Sequence, residues 1–280
     1  MDSLISTQWL ASELGAADIK VLDASWHLPD AERDPARDYA EGHIPGAVYL
    51  DLGSLVDKAS PIDNTLPPAS QFAARMEELG ISDTDRIVVY DDSAVKSAAR
   101  AWFMLKLFGA RKVAILDGGL AKWKAEGRPL TTEVPSHPKG RFSAKEDSTG
   151  LRSMEQVLAN LDTGSEQVVD ARGPGRFAGT DPEPRPGVTP GHIPGSLNLP
   201  YAKLFNPDGT YKDDAGIRAA LAEAGVDPAQ PTIVSCGSGV TACVLAFAME
   251  RIGKHDVAHY DGSWGEWGAN PSTPKATGPA

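Results

Sequence analysis

The chain has 280 residues, 41% of them hydrophobic and 23% charged, enough for two ordinary globular domains that each bury a core. Its net charge is −11, with no cluster of lysine or arginine, which argues against nucleic acid and anionic membrane as partners. It has only two cysteines, Cys236 and Cys243, and no CxxC or His/Cys cluster; this excludes a disulfide scaffold, gives no metal signature and suits a reducing, cytoplasmic compartment.

The N-terminal residues 1–6 lack the basic-then-apolar pattern of a signal peptide. Ser6 is a candidate N-cap for a helix over Thr7–Leu14, followed by strands at Lys20–Asp23 and Ala47–Leu50. Helices are predicted at Ser70–Leu79 and Lys96–Phe108, strands at Arg86–Asp91 and Lys112–Leu116. Residues 127–150 are rich in Pro, Ser, Thr and charge and carry no sustained period. Beyond them, strands recur near Gln167–Asp170, Ser196–Leu199, Thr232–Ser235 and Val257–Tyr260. The apolar helix pattern at Val240–Ile252 is too short to span a bilayer and contains Glu250 and Arg251.

The second half repeats the first. Gly42-His43-Ile44-Pro45-Gly46 returns as Gly191-His192-Ile193-Pro194-Gly195, Val21-Leu22-Asp23-Ala24 as Val168-Val169-Asp170-Ala171, and Asp117-Gly118 with Trp123 as Asp261-Gly262 with Trp267. The separations are 149 (191 − 42), 147 (170 − 23) and 144 residues (261 − 117). Three matches in one order at a nearly constant offset mark an internal duplication. The alternation of strand and helix makes each copy an α/β domain with a mostly parallel sheet. Expected boundaries are an N-terminal domain at 1–135, a linker at 136–150, a C-terminal domain at 151–268 and a flexible tail at 269–280. A chain that carries its own duplicate is expected to act as a monomer.

The chemistry concentrates at Ser235-Cys236-Gly237-Ser238-Gly239-Val240-Thr241. A β-branched strand stops at a cysteine, two glycines follow, and a helix resumes. Strand, tight loop and helix N-terminus aim N–H groups at one atom, here the sulfur, and such groups attract anions and favour the thiolate. Aligning the halves at their Asp-Gly motifs sets Asp92 opposite Cys236, so the first copy lacks the thiol and is expected to be catalytically inactive. Cys243 falls on the apolar face of the following helix and reads as packing. His43 and His192 share one motif, which gives both at least a partly structural role.

These residues resemble the rhodanese superfamily and, within it, the tandem-domain 3-mercaptopyruvate sulfurtransferases. The resemblance rests on the paired His-Ile-Pro-Gly motifs, on Asp261-Gly262-Ser263-Trp264 with Trp267, and on Cys236 to Thr241. Thiosulfate enzymes of similar length usually carry Cys-Arg-Lys-Gly-Val-Thr at this loop, mercaptopyruvate enzymes Cys-Gly-Ser/Ala-Gly-Val-Thr. Thiosulfate is a compact dianion helped by cations beside the acceptor sulfur. Mercaptopyruvate presents one carboxylate and a ketone, which suit a planar guanidinium fork.

The resemblance implies two rhodanese-like α/β domains and a sulfurtransferase that needs no metal or organic cofactor. It implies a persulfide on Cys236, release of pyruvate, and transfer to a thiol such as thioredoxin or a small thiol, or to cyanide. It assigns Arg176 and Arg185 to the substrate, with Gly237, Gly239, Val240 and Thr241 completing the binding loop. It also implies a proton relay of Ser238, His43 and an upstream acid, for which Asp34 is the candidate. The alternatives are a thiosulfate:cyanide sulfurtransferase, disfavoured by Gly237-Ser238, and a non-catalytic rhodanese-like binding module, disfavoured by retention of the cysteine. A cysteine phosphatase of related fold needs an arginine where Ala242 stands, and no nucleotide-binding glycine motif is present.

Overall fold

The computed structural model describes residues 1–280, which divide into two compact units. The first unit comprises residues 1–56, 66–147 and 206–211, the second 57–65, 148–205 and 212–280. Each unit thus incorporates a short segment from the other half of the sequence.

In the first unit the order is β1 (Leu4–Ile5), α1 (Thr7–Glu13), β2 (Ile19–Asp23), α2 (Pro35–Glu41), β3 (Ala47–Tyr49), α3 (Ala69–Glu78), β4 (Arg86–Tyr90), α4 (Ala98–Leu107), β5 (Lys112–Leu116) and α5 (Gly119–Ala125). The strands form one parallel sheet in the order β1-β5-β4-β2-β3. Helices cover both faces of such a sheet, so its central strands read as unbroken apolar runs such as Ile87-Val88-Val89. Ser6 caps α1 as expected, accepting the Trp9 N–H at 3.1 Å.

The second unit repeats this with β6 (Leu151–Arg152), α6 (Met154–Thr163), β7 (Gln167–Asp170), α7 (Pro174–Ala178), β8 (Leu197–Asn198), α8 (Asp214–Glu223), β9 (Thr232–Ser235), α9 (Ala242–Arg251), β10 (Val257–Tyr260) and α10 (Ser263–Trp267). Its sheet has the same permutation, β6-β10-β9-β7-β8, again all parallel. The cores correspond as well: Val21, Ile44 and Trp123 in one unit, Val168, Ile193 and Trp267 in the other. No helix is long and apolar enough to cross a membrane.

Two expectations about the chain ends of the domains are corrected. Residues 136–147 belong to the first unit rather than to a linker. Phe142 is buried against Phe72, and Gly140 donates its N–H to Glu77 at 2.9 Å. The stretch 269–280 is packed rather than frayed. Ala276 exchanges two backbone hydrogen bonds with His192 (2.9 and 3.0 Å), as Thr131 does with His43 (3.0 and 2.9 Å). Pro274 O accepts from the Trp267 indole at 2.7 Å, as Pro129 O accepts from Trp123 at 2.8 Å. The tail is the second copy of a closing segment that the first unit also has.

Candidate active site

Cys236 follows directly on β9, at the carboxyl end of a central strand, where sites form in parallel α/β sheets. It is 1% exposed. Its position is fixed through its backbone: its N–H donates to Ser263 Oγ at 3.1 Å, and its carbonyl accepts from Trp264 N at 2.9 Å. Gly237 O accepts from Gly265 N at 3.0 Å, so the first turn of α10 holds two consecutive loop carbonyls. With the loop held in this way, Ser238 N donates to Cys236 Sγ at 3.5 Å.

Glycine is required at Gly239. Its φ is +76°, and a Cβ there would lie 2.8 Å from Asp261 O. Val240 is buried and Thr241 half-buried as the loop runs into α9. Cys243 is buried with Sγ directed at Gly239 O, 3.3 Å away, in a packing position.

Both expected arginines meet this loop. Arg176, on α7, lies over Gly237, where an added Cβ would come within 2.9 Å of its Nη2. Arg185 donates from Nη1 to Gly237 O at 3.3 Å, while its Nε faces Asp63 at 3.3 Å. Asp63 comes from the first half of the sequence but belongs to the second unit. Cys236, Ser238, Arg176 and Arg185 therefore converge on Gly237.

The second unit also supplies residues that the sequence did not single out. Arg172 is 3% exposed and stacks over Trp264, with the guanidinium carbon 4.7 Å from the ring centre. It pairs with Asp170 (2.7 Å) and Glu183 (2.7 Å) and donates to Gly191 O (2.7 Å). Burial works against its charge, but Asp170, Glu183 and the nearby Cys236 outweigh burial and raise its pKa further. The signal available was positional: the duplication sets Asp170 against Asp23, so a cation follows a buried strand end where the first copy has Ser25.

His43 and Asp34 depart from the relay expectation. His43 is fully buried, stacked on Tyr39 at 3.9 Å. Its Nδ1 lies 2.8 Å from Tyr39 O and its Nε2 3.1 Å from Glu133 O, so both nitrogens are engaged by main chain. His192 repeats the pattern, stacked on Phe177 with Nδ1 2.9 Å from Phe177 O. Asp34 is the N-cap of α2, accepting from Ala36 N (3.0 Å) and Arg37 N (3.3 Å). A carboxylate with that duty satisfies helix N–H groups and has no call to relay protons.

The counterpart of Cys236 in the first unit is Asp91, not Asp92. Trp264 N bonds Cys236 O at 2.9 Å, and Leu120 N bonds Asp91 O at 2.9 Å. The strand registers agree, with Asp170 opposite Ser235 and Asp23 opposite Tyr90. The Asp91 carboxylate accepts from Ser93 N (3.1 Å) and Ala98 N (2.6 Å). Burial pushes its pKa up, against the pull of those N–H groups and of Lys96. Asp92 turns away to pair with Arg33 at 3.0 Å.

A parallel sheet whose central strand ends in a buried cysteine that accepts a loop N–H, repeated in a second copy with Asp91 in place of the thiol, is the arrangement of an activated-thiol α/β site. The chain belongs to the rhodanese family: the Rhodanese-like domain model matches residues 6–126 and 153–270. Among curated relatives, the 3-mercaptopyruvate sulfurtransferase of Mus musculus is 43% identical over 271 residues, covering 95% of this chain and 91% of that protein. The thiosulfate sulfurtransferase of Bos taurus is also 43% identical, over 273 residues, with the same coverage. The crystal structure of the 3-mercaptopyruvate sulfurtransferase SseA from Escherichia coli superposes with a TM-score of 0.87 at 37% identity, covering 94% of this chain and 99% of that one. Whole-chain identity to the two kinds of enzyme is the same, so the choice of donor rests on the loop and its arginines.

Proposed function

We propose that this chain is a sulfurtransferase that moves the sulfur of 3-mercaptopyruvate to a thiol acceptor through a persulfide on Cys236. The observation that carries the donor is the meeting of Arg176 and Arg185 on Gly237, with neutral Gly237-Ser238 beside the sulfur in place of cations. Two guanidinium groups offer planar donors for a carboxylate and an adjacent ketone.

In the first half-reaction the Cys236 thiolate attacks the thiol sulfur of mercaptopyruvate. The S–S bond forms as the C–S bond breaks, and its electron pair leaves as the enolate of pyruvate. The proton on the substrate sulfur ends on the methylene carbon, giving pyruvate and a persulfide anion in the N–H cradle. In the second half-reaction an acceptor thiolate attacks the outer sulfur and the Cys236 thiolate departs. Thioredoxin, a small thiol or cyanide fits this role, and ping-pong kinetics follow. Of the expected relay, this reading retains only Ser238 as a proton-handling side chain. Two free, buried cysteines support a cytoplasmic location, and the internal duplication supports a monomer.

The second reading, thiosulfate:cyanide sulfurtransfer, draws on the equal identity to the Bos taurus enzyme. Pyruvate release from mercaptopyruvate, measured beside thiocyanate formation from thiosulfate and cyanide, separates the two. Higher kcat/KM for thiosulfate would overturn the donor assignment. Activity undiminished in Cys236→Ser would overturn the mechanism.

A further inference from the structure

Arg176 is a half-exposed arginine on a five-residue helix, and its guanidinium lies over Gly237. A long side chain of this kind loses rotamer freedom when a donor fixes it, so a partner that orients it beforehand favours binding. Glu183 is the residue in position to do so. Its side chain is 3% exposed, and it reaches Arg176 through both oxygens, Oε2 to Nη2 at 2.5 Å and Oε1 to Nε at 3.3 Å. Oε1 also accepts from Arg172 Nη1 at 2.7 Å. Arg172 is in turn anchored by Asp170, by Gly191 O and by the face of Trp264, the residue whose N–H holds Cys236 O. A backbone hydrogen bond, a cation–π contact and then charge-assisted bonds therefore connect the backbone that carries the nucleophile to the guanidinium above Gly237.

We infer that Glu183 is a positioning residue for donor recognition: it clamps Arg176 in a fixed plane over Gly237, with Nη1 left to meet the donor carboxylate. The inference rests on the proposed role of Arg176 and adds the residue that makes that role possible. The side of Arg176 made up of Nε and Nη2 is occupied by Glu183, and Glu183 is oriented by the buried Arg172 rather than by solvent. Such a fork is preorganised, so less order is lost when the donor binds. Glu183 itself touches neither donor nor sulfur.

The test is a double-mutant cycle on mercaptopyruvate turnover with Glu183→Gln and Arg176→Ala. Glu183→Gln keeps the shape and removes the charge that fixes the guanidinium. It is expected to raise KM about tenfold with kcat changed less than about twofold, since a donor-binding interaction common to ground and transition states is lost. Two residues that act as one unit give non-additive effects, so adding Glu183→Gln to Arg176→Ala should raise KM no further. The rate of Cys236 alkylation by iodoacetamide, a neutral reagent, should stay at the wild-type value in Glu183→Gln. A merely structural role would instead lower kcat and alter alkylation together.

An unchanged KM in Glu183→Gln, additive effects in the cycle, or a parallel change in alkylation would each overturn the inference. If Arg176→Ala raises KM and Glu183→Gln does not, only the role of Glu183 fails. If Arg176→Ala leaves KM unchanged, the carboxylate reading itself fails and takes this inference with it. Should Glu183→Gln not accumulate as folded protein, Glu183→Asp goes through the same cycle. It keeps the charge and shortens the reach, so a smaller rise in KM is expected, and additivity would again overturn the inference.

Discussion

Ser263 is fully buried with φ +51°, a left-handed conformation that costs a non-glycine residue about 1–2 kcal/mol. The first unit has Gly119 there, φ +57°, where a Cβ would approach Asp91 O to 2.3 Å. Backbone geometry alone therefore selects glycine at this turn, and serine must be kept for its hydroxyl. That hydroxyl accepts the Cys236 N–H at 3.1 Å and donates to Tyr260 O at 2.8 Å. Ser263→Ala keeps the strained φ and leaves the buried Cys236 N–H unpaired, a loss of about 1–3 kcal/mol. Ser263→Gly suffers the same loss but recovers about 1–2 kcal/mol of backbone strain. The expected order of stability is wild type, then Ser263→Gly, then Ser263→Ala, read as urea midpoints with m-values unchanged. Both variants should form the Cys236 persulfide several-fold more slowly in a single turnover with mercaptopyruvate, because neither fixes the nucleophile's backbone. A glycine variant less stable than the alanine one, or a wild-type single-turnover rate in Ser263→Ala, would refute this reasoning.

Three further outcomes are expected. Removing residues 271–280 deletes the Ala276 bridge and the Pro274 acceptor; at about 1 kcal/mol per buried hydrogen bond it should cost on the order of 3 kcal/mol, and an unaltered melting temperature would restore the frayed tail. His43→Ala loses two buried hydrogen bonds and the Tyr39 stack, so it should lower stability by about 2–4 kcal/mol; persulfide formation per folded molecule should not change, and the reverse result would reinstate the relay. Burial holds the Asp91 carboxyl above its ordinary value of 3.8, so the folded state binds that proton more tightly than the unfolded state. The associated stability is complete below about pH 4 and is lost as pH rises through the raised value. Asp91→Asn removes this slope and should gain stability relative to wild type between about pH 4 and pH 7; equal urea-midpoint differences at the two pH values would contradict it.

The central strands were legible because parallel strands covered on both faces must be apolar and β-branched, as at Lys112–Leu116 and Thr232–Ser235. The edge strands β1 and β6 were not, since two residues carry no period. The tail was misread because Pro, Thr and Lys look like loop composition, and its packing lies in backbone bonds to His192 that composition does not register. The loop, the thiol and the two arginines were legible as residue types in a pattern. Arg172 and Glu183 were not, because a buried ion network exists only once Asp170, Arg172, Glu183 and Arg176 have been brought together by the fold.

The loop after the central strand is one residue longer in the first copy than in the second. Helix α4 begins at Ala98, seven residues past Asp91, whereas α9 begins at Ala242, six past Cys236. An alignment anchored on the Asp-Gly motifs cannot see that extra residue; the hydrogen bonds to Leu120 N and Trp264 N can. Once it is placed, the inactive copy becomes a control for the active one. At the same strand end, one unit offers Ser93 N and Ala98 N to the carboxylate of Asp91, and the other offers Ser238 N to the sulfur of Cys236. In the first copy burial outweighs those N–H groups and raises the Asp91 pKa, so the donors offset only part of the cost of a charge at this strand end. A persulfide anion on Cys236 would draw on the same kind of main-chain donor, Ser238 N, at the same strand end.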